Sequence, residues 1–237
     1  MEWSLPVIRD KLESKEESII FALIERSKYK HNSKVYDAKI NLRKDYTGSY
    51  LDFFLHKTED LHAQLGRYAH THQRRFCEGE RYVEDKKREL NSNAKIKKAY
   101  INFLPQLCEE GDDHEYGSTA LIDITALQHI SERVHLGMQV ASIKLGQTVG
   151  QYKEYTDLIS QLNIEGLHAK LRDEAVELKI LQRVHQKAEK YGMKNPLIIR
   201  NLYEETIMPL TREIQAEWFM QKYPMMKHPE TSHQSIY

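Results

Sequence analysis

Apolar positions recur at helical spacing along most of this chain. Strand-like segments bounded by Gly, Pro and Asn turns at short, regular spacing are not seen. Residues 5–29 place Ile8, Leu12, Ile19, Ile20, Leu23 and Ile24 on a recurring stripe behind Ser4 and Pro6, and predict a long amphipathic helix. The polar stretch 30–49 reads as a loop, and Leu51, Phe54, Leu55, Leu61 and Leu65 predict a second helix from Tyr50 to about Gly66. The charged segment 70–93 fits no element. A helix is expected over 94–107, ending near Pro105, followed by an acidic loop over 108–118.

The longest apolar pattern runs from Thr119 to about Leu145 and predicts one long buried helix. Shorter helices are expected over 151–162 and 164–169, and a long one over 170–191 that Gly192 and Asn195-Pro196 end. The last runs from about Pro196 to Lys222, with a kink or restart at Pro209. The expectation is a single all-α domain, a bundle of long helices over residues 1–221, with a flexible tail over 222–237.

Composition narrows the class. The 237 residues suffice for one large domain, and no linker clean enough to divide them is visible. Lys plus Arg number 35, as do Asp plus Glu, so no basic excess argues for nucleic acid as a partner. Apolar runs fall short of the roughly 18 residues a membrane span needs. The start "MEWSLPVIRD" lacks a basic segment followed by an apolar one, which suggests a cytoplasmic protein; a processed, secreted form is the alternative. Cys77 and Cys108 fit a reducing compartment and leave a single disulfide open.

Candidate chemistry lies in helical pairs. Arg133 and Lys144, eleven residues apart, fall on nearly one stripe about 16 Å apart by rise, over a floor of Gly137, Val140 and Ala141. Two cations so placed are able to hold an anion between them. Asp173 and Glu177 are one turn apart, as are Thr211 and Gln215, and Arg9 stands near the first helix start. Taken singly, each reads equally well as an exposed charge or an i,i+4 polar pair. His70 with His72, and His129 with His135, lack the spacing that puts two imidazoles on one helical face, so no metal is expected. With no phosphate loop, nucleophile elbow or paired Cys motif, no cofactor is expected either. An enzyme made from these residues works by positioning and electrostatics.

Four stretches carry a resemblance: "IRDKLESKEESIIFALIERSKY" (8–29), "GDDHEYGSTALIDITALQHISERVHLGMQVASIKL" (111–145), "AVELKILQRVHQKAEKYG" (175–192) and "LYEETIMPLTREIQAEW" (202–218). Together they resemble chorismate mutases of the all-helical eukaryotic type found in fungi and plants. The resemblance implies a helical homodimer that converts chorismate to prephenate, the committed step toward Phe and Tyr. It places carboxylate-gripping cations on Arg9, Arg133 and Lys144, with Lys144 also at the ether oxygen. It puts the acceptor for the ring hydroxyl on Glu177 and the C-terminal pair on Thr211 and Gln215, with Gln215 donating to the ether oxygen. Asp173 matches a weaker substrate-binding position where a neutral residue is usual. Some fungal members have Glu where Gln215 stands, so little acid preference is expected here.

In regulated relatives an aromatic amino acid (Tyr, Trp or Phe) binds at the dimer interface. Arg67, Gly117 and Ser118 match that site, but Leu121 falls where a regulated fungal enzyme has Thr. Feedback control is therefore expected to be weak or absent. Two competing readings are a non-catalytic helical interaction protein with this fold, and a secreted enzyme that diverts a host's chorismate.

Overall fold

Pro6 sits in the first turn, where a missing N–H costs nothing, and starts α1 (Leu5–Arg26). Ser49 and Asp52 form a reciprocal capping box at α2 (Tyr50–Gln64), each backbone N–H bonding the other's side chain at 3.1 Å. The computed structural model describes residues 4–40, 46–70, 72–77, 90–147 and 149–227, so most of 78–93 lies outside the described residues. Arg67 belongs not to α2 but to a short 3-10 turn, Arg67–Ala69, entered through Gly66 at φ 77°.

Helix α3 (Asn93–Leu107) ends at Leu107 as expected, with Pro105 inside it. The proline lies in the last turn, and buried Leu104 and Leu107 carry that turn past it. The single helix expected over 119–145 is two, α4 (Tyr116–His135) and α5 (Gly137–Gln147). At the junction the Leu136 carbonyl accepts from both Gln139 and Val140 at 3.1 Å. Then come α6 (Val149–Ser160) and α7 (Ile164–Leu171). Helix α8 (Glu174–Lys190) begins later than expected because Asp173 caps it, accepting from the Val176 N–H at 3.0 Å. Asp173 is thus a cap, not a residue of the helix body.

Helix α9 (Pro196–Leu202) leads into a π-turn, Tyr203–Ile207, and α10 (Met208–Lys227). The restart expected at Pro209 occurs one residue earlier. Pro209 offers no N–H and crowds the carbonyl four residues back, and the widened turn relieves that crowding. Residues 228–237 lie outside the described residues.

Helix α4 is the axis of the bundle, packed by α1, α2, α3 and α10. The main core gathers residues such as Leu23, Tyr100, Leu127 and Tyr203 around it. A second, smaller core joins Ala141 of α5 with Tyr155, Ile159, Leu167, Leu171 and Phe219. Ile8, Leu136 and Ile143 form a third cluster, which docks the start of α1 on the α4–α5 junction. Among the described residues there is no strand, and no helix is long and apolar enough to cross a membrane. Cys77 and Cys108 are unbridged.

One buried polar node ties the upper bundle. Asp123, fully buried on α4, accepts from Arg26 Nε at 2.8 Å, the Tyr36 hydroxyl at 2.6 Å and the Tyr100 hydroxyl at 2.7 Å. Arg26 spends its other nitrogens on the carbonyls of Tyr29, Lys30 and His31.

His135 makes stability depend on pH. Its Nδ1 lies 2.7 Å from the Ser131 carbonyl and its Nε2 accepts from the Ser92 N–H at 3.1 Å, an arrangement only the neutral ring satisfies. Burial pushes its pKa down to about 4, and nearby Arg74 and His72 act the same way. The unfolded chain takes up this proton near pH 6.5, the folded chain only near 4, so the unfolded state binds more protons between. The contribution is whole above about pH 6.5 and is lost as pH falls toward 4, by up to about 1.4 kcal/mol per pH unit. His72, also buried and pushed down to about 4, steepens the loss. The urea midpoint should therefore drop between about pH 7 and 5, and His135→Gln should flatten the drop.

Candidate active site

The residues singled out by spacing straddle the seam between the main and the smaller core. Gly137 makes that seam tight. A Cβ there would lie 2.8 Å from Ile214 Cγ2 and 3.0 Å from the Thr211 carbonyl oxygen, so only glycine admits α10 this close to the α4–α5 junction. Thr211 and Gln215 are both buried and share one stripe of α10, the stripe set against Gly137. The Thr211 hydroxyl donates to the Ile207 carbonyl at 2.6 Å, while the Gln215 Oε1 is buried without a partner.

Arg133 is 4% exposed, and its Nε has no hydrogen-bond partner. Burial lowers its pKa, opposed by Tyr203 and Glu16, while Arg183 adds to the lowering. A guanidinium stays charged regardless. The acid beside it is already occupied: Glu16, fully buried on α1, accepts from Arg183 Nε at 2.8 Å and Nη2 at 2.5 Å, and from Lys187 at 3.2 Å. The Tyr203 hydroxyl is likewise buried and unpartnered. Arg133 is therefore a buried cation short of an anion, a state that costs several kcal/mol until a ligand supplies one.

Eleven residues on, Lys144 lines a cavity of about 530 Å³ with Tyr155, Lys170, Arg172 and Asp173. Burial lowers the Lys144 ammonium, and Asp173 pulls the other way. Asp173 thus faces the cavity as well as capping α8. Glu177, one turn into α8, is held on both oxygens. Arg212 of α10 bonds Oε1, and Arg172 Nε lies 3.8 Å from Oε2.

Arg9 stands exposed beside Ile8, near the α4–α5 junction, and nothing among the described residues joins it directly to Arg133. Arg67 is paired within the chain: its Nη2 donates to Glu132 Oε1 at 2.9 Å, and Lys15 binds the other oxygen of Glu132. Ser118 donates to Glu115 at 3.2 Å, and Gly117 has open space around it. Ser118 is fourteen residues before Glu132 on α4, about 20 Å away, so Arg67 and the Gly117–Ser118 pair do not form one site within a chain. Sequence spacing did not reveal Glu16, Arg172, Arg183, Tyr203 or Arg212. The one usable signal was Arg172, a cation adjoining the out-of-pattern Asp173.

Residues 116–216 match the family model described as chorismate mutase type II. A chorismate mutase 2 of Petunia hybrida is 34% identical over 252 residues, covering 94% of this chain and 95% of that one. The solved chloroplast chorismate mutase of Zea mays is similar with a TM-score of 0.84 at 32% identity, covering 93% of this chain and 96% of its own. The chorismate mutase of Candida albicans, solved in complex with L-Trp, gives a TM-score of 0.82 at 30% identity, covering 93% and 92%.

Proposed function

The chain belongs to the chorismate mutase family and is an isomerase acting on chorismate, and from that premise we propose how its residues carry the rearrangement to prephenate. Chorismate is a dianion that rearranges within one molecule, so neither nucleophile nor proton transfer is required. Arg133 and Arg9 grip its carboxylates and hold the reactive conformer. Charge separates as the ether C–O bond breaks, so a donor at that oxygen is worth most in the transition state. Lys144 and Gln215 fill that role from two sides, Thr211 packs beneath them, and Glu177 accepts from the ring hydroxyl. Asp173 caps α8 at the cavity wall, and its charge is offset by Lys144 and Arg172. The observation that carries this reading is Arg133, a buried cation with an unpartnered nitrogen.

Disappearance of chorismate absorbance with purified protein tests the reading, and its pH dependence tests Gln215. A glutamine donates at any pH, whereas a carboxylate donates only when protonated, on the acid side. The rate should show no steep rise below about pH 6; such a rise would remove Gln215 from the ether oxygen.

The active form is a homodimer. Leu61 and Leu65, one turn apart, and Leu121 on the adjoining α4 are all more than half exposed, an apolar patch suited to a second copy. An effector touching Arg67 and Ser118 would take each from a different copy, and a Trp-bound relative makes aromatic amino acids the candidates. Because Glu132 already occupies Arg67, added Tyr, Trp or Phe should leave the rate nearly unchanged. Unbridged Cys77 and Cys108 suit a reducing compartment, the cytoplasm.

A further inference from the structure

Glu177 raises a difficulty. An ionised carboxylate is the strongest acceptor for the ring hydroxyl, yet a bare one beside a cavity for a dianion repels what it should help to bind. Asp173, one turn earlier in the same wall, makes the repulsion worse. Two arginines answer it. Arg212 reaches from α10 to Oε1 of Glu177, and Arg172 stands at Oε2 from the turn between α7 and α8. Arg172 also lies 3.5 Å from Glu174 and lines the cavity beside Lys144.

We propose that Arg212 and Arg172 form a clamp that fixes Glu177 for the ring hydroxyl and offsets its negative charge at this wall of the cavity. Both are positioning residues: neither needs to touch the reacting atoms. Arg212 follows Thr211 directly, so the clamp ties the strip of α10 that carries Thr211 and Gln215 to the first turn of α8. Binding and geometry are set by one contact. Arg212 engages Glu177 through one nitrogen, so a lysine ammonium at that position is able to replace it. Arg172, more than half exposed, is the weaker arm.

The inference rests on the role proposed above for Glu177, and the experiment separates the two. Steady-state kcat and KM for chorismate are measured for the parent, Glu177→Ala, Arg212→Ala, Arg212→Lys, Arg172→Ala and the Glu177→Ala/Arg212→Ala double variant. Arg212→Ala should lower kcat on the order of tenfold to a hundredfold with a smaller change in KM, the mark of misplacement rather than lost binding. Arg212→Lys should recover most of it, and Arg172→Ala should show a smaller loss of the same kind. In the Glu177→Ala background Arg212→Ala should cost nothing further, because its effect runs through that carboxylate.

Losses that multiply fully in the double variant, or a lysine that fails to rescue, would overturn the clamp while leaving Glu177 as the acceptor. Parental activity in Glu177→Ala would overturn the acceptor role and the clamp together. Arg172 is exposed, so Arg172→Ala keeps the test valid even if Arg212→Ala fails to fold.

Discussion

Replacing Arg133 with methionine should lower kcat/KM by roughly three orders of magnitude and at the same time raise thermal stability. Losing a buried charge partner costs about 3–5 kcal/mol, and each 1.36 kcal/mol in the transition state is about tenfold in rate. In the free protein the balance runs the other way. Arg133 is desolvated with an unpartnered Nε, and an apolar side chain of similar length removes that cost. The substitution does not orphan Glu16, which keeps Arg183 and Lys187. A gain of about 1–4 kcal/mol is therefore expected, read as a rise in melting temperature of about 2–4 °C per kcal/mol. Kinetics and a melting curve on one preparation check both halves. If stability falls along with activity, Arg133 is holding the fold together and is not waiting for an anion.

Asp123→Asn should do the opposite: cost about 3–5 kcal/mol of stability and spare the chemistry. The amide removes the charge facing Arg26 and turns a donor toward groups that themselves donate. Three donors converge on Asp123, and none of them has a second buried acid in reach. Arg26 keeps the carbonyls of Tyr29, Lys30 and His31 but loses its countercharge. Asp123 lies ten residues before Arg133 on α4, about 15 Å away, so kcat per folded molecule should stay parental. The readout is the urea midpoint beside kcat at low temperature; an unmoved midpoint would show the node contributes nothing.

Features set by neighbouring residues were legible in the sequence. The starts of α1 and α2 follow from Pro6 and the Ser49–Asp52 box. Boundaries failed where two local signals compete. Asp173 read as part of a helix because its i,i+4 partner Glu177 is, yet its side chain makes a better cap. What spacing does not carry is pairing between distant helices. Arg212 and Glu177 are 35 residues apart, and Arg183 and Glu16 are 167 apart. Arg67 was matched to an effector without sign of Glu132 lying on it, since that contact needs the turn after Gly66 to fold back on α4.

The π-turn at Tyr203–Ile207 acts as a phase setter for α10. A wide turn adds one residue to the winding, and every residue after it is rotated by about 100° relative to an uninterrupted α-helix. Thr211 and Ile214 meet Gly137 only in the shifted phase. Removing a single residue from that turn would leave a good helix with its core stripe and its active stripe exchanged for neighbouring faces, so insertions and deletions there are far less tolerable than substitutions.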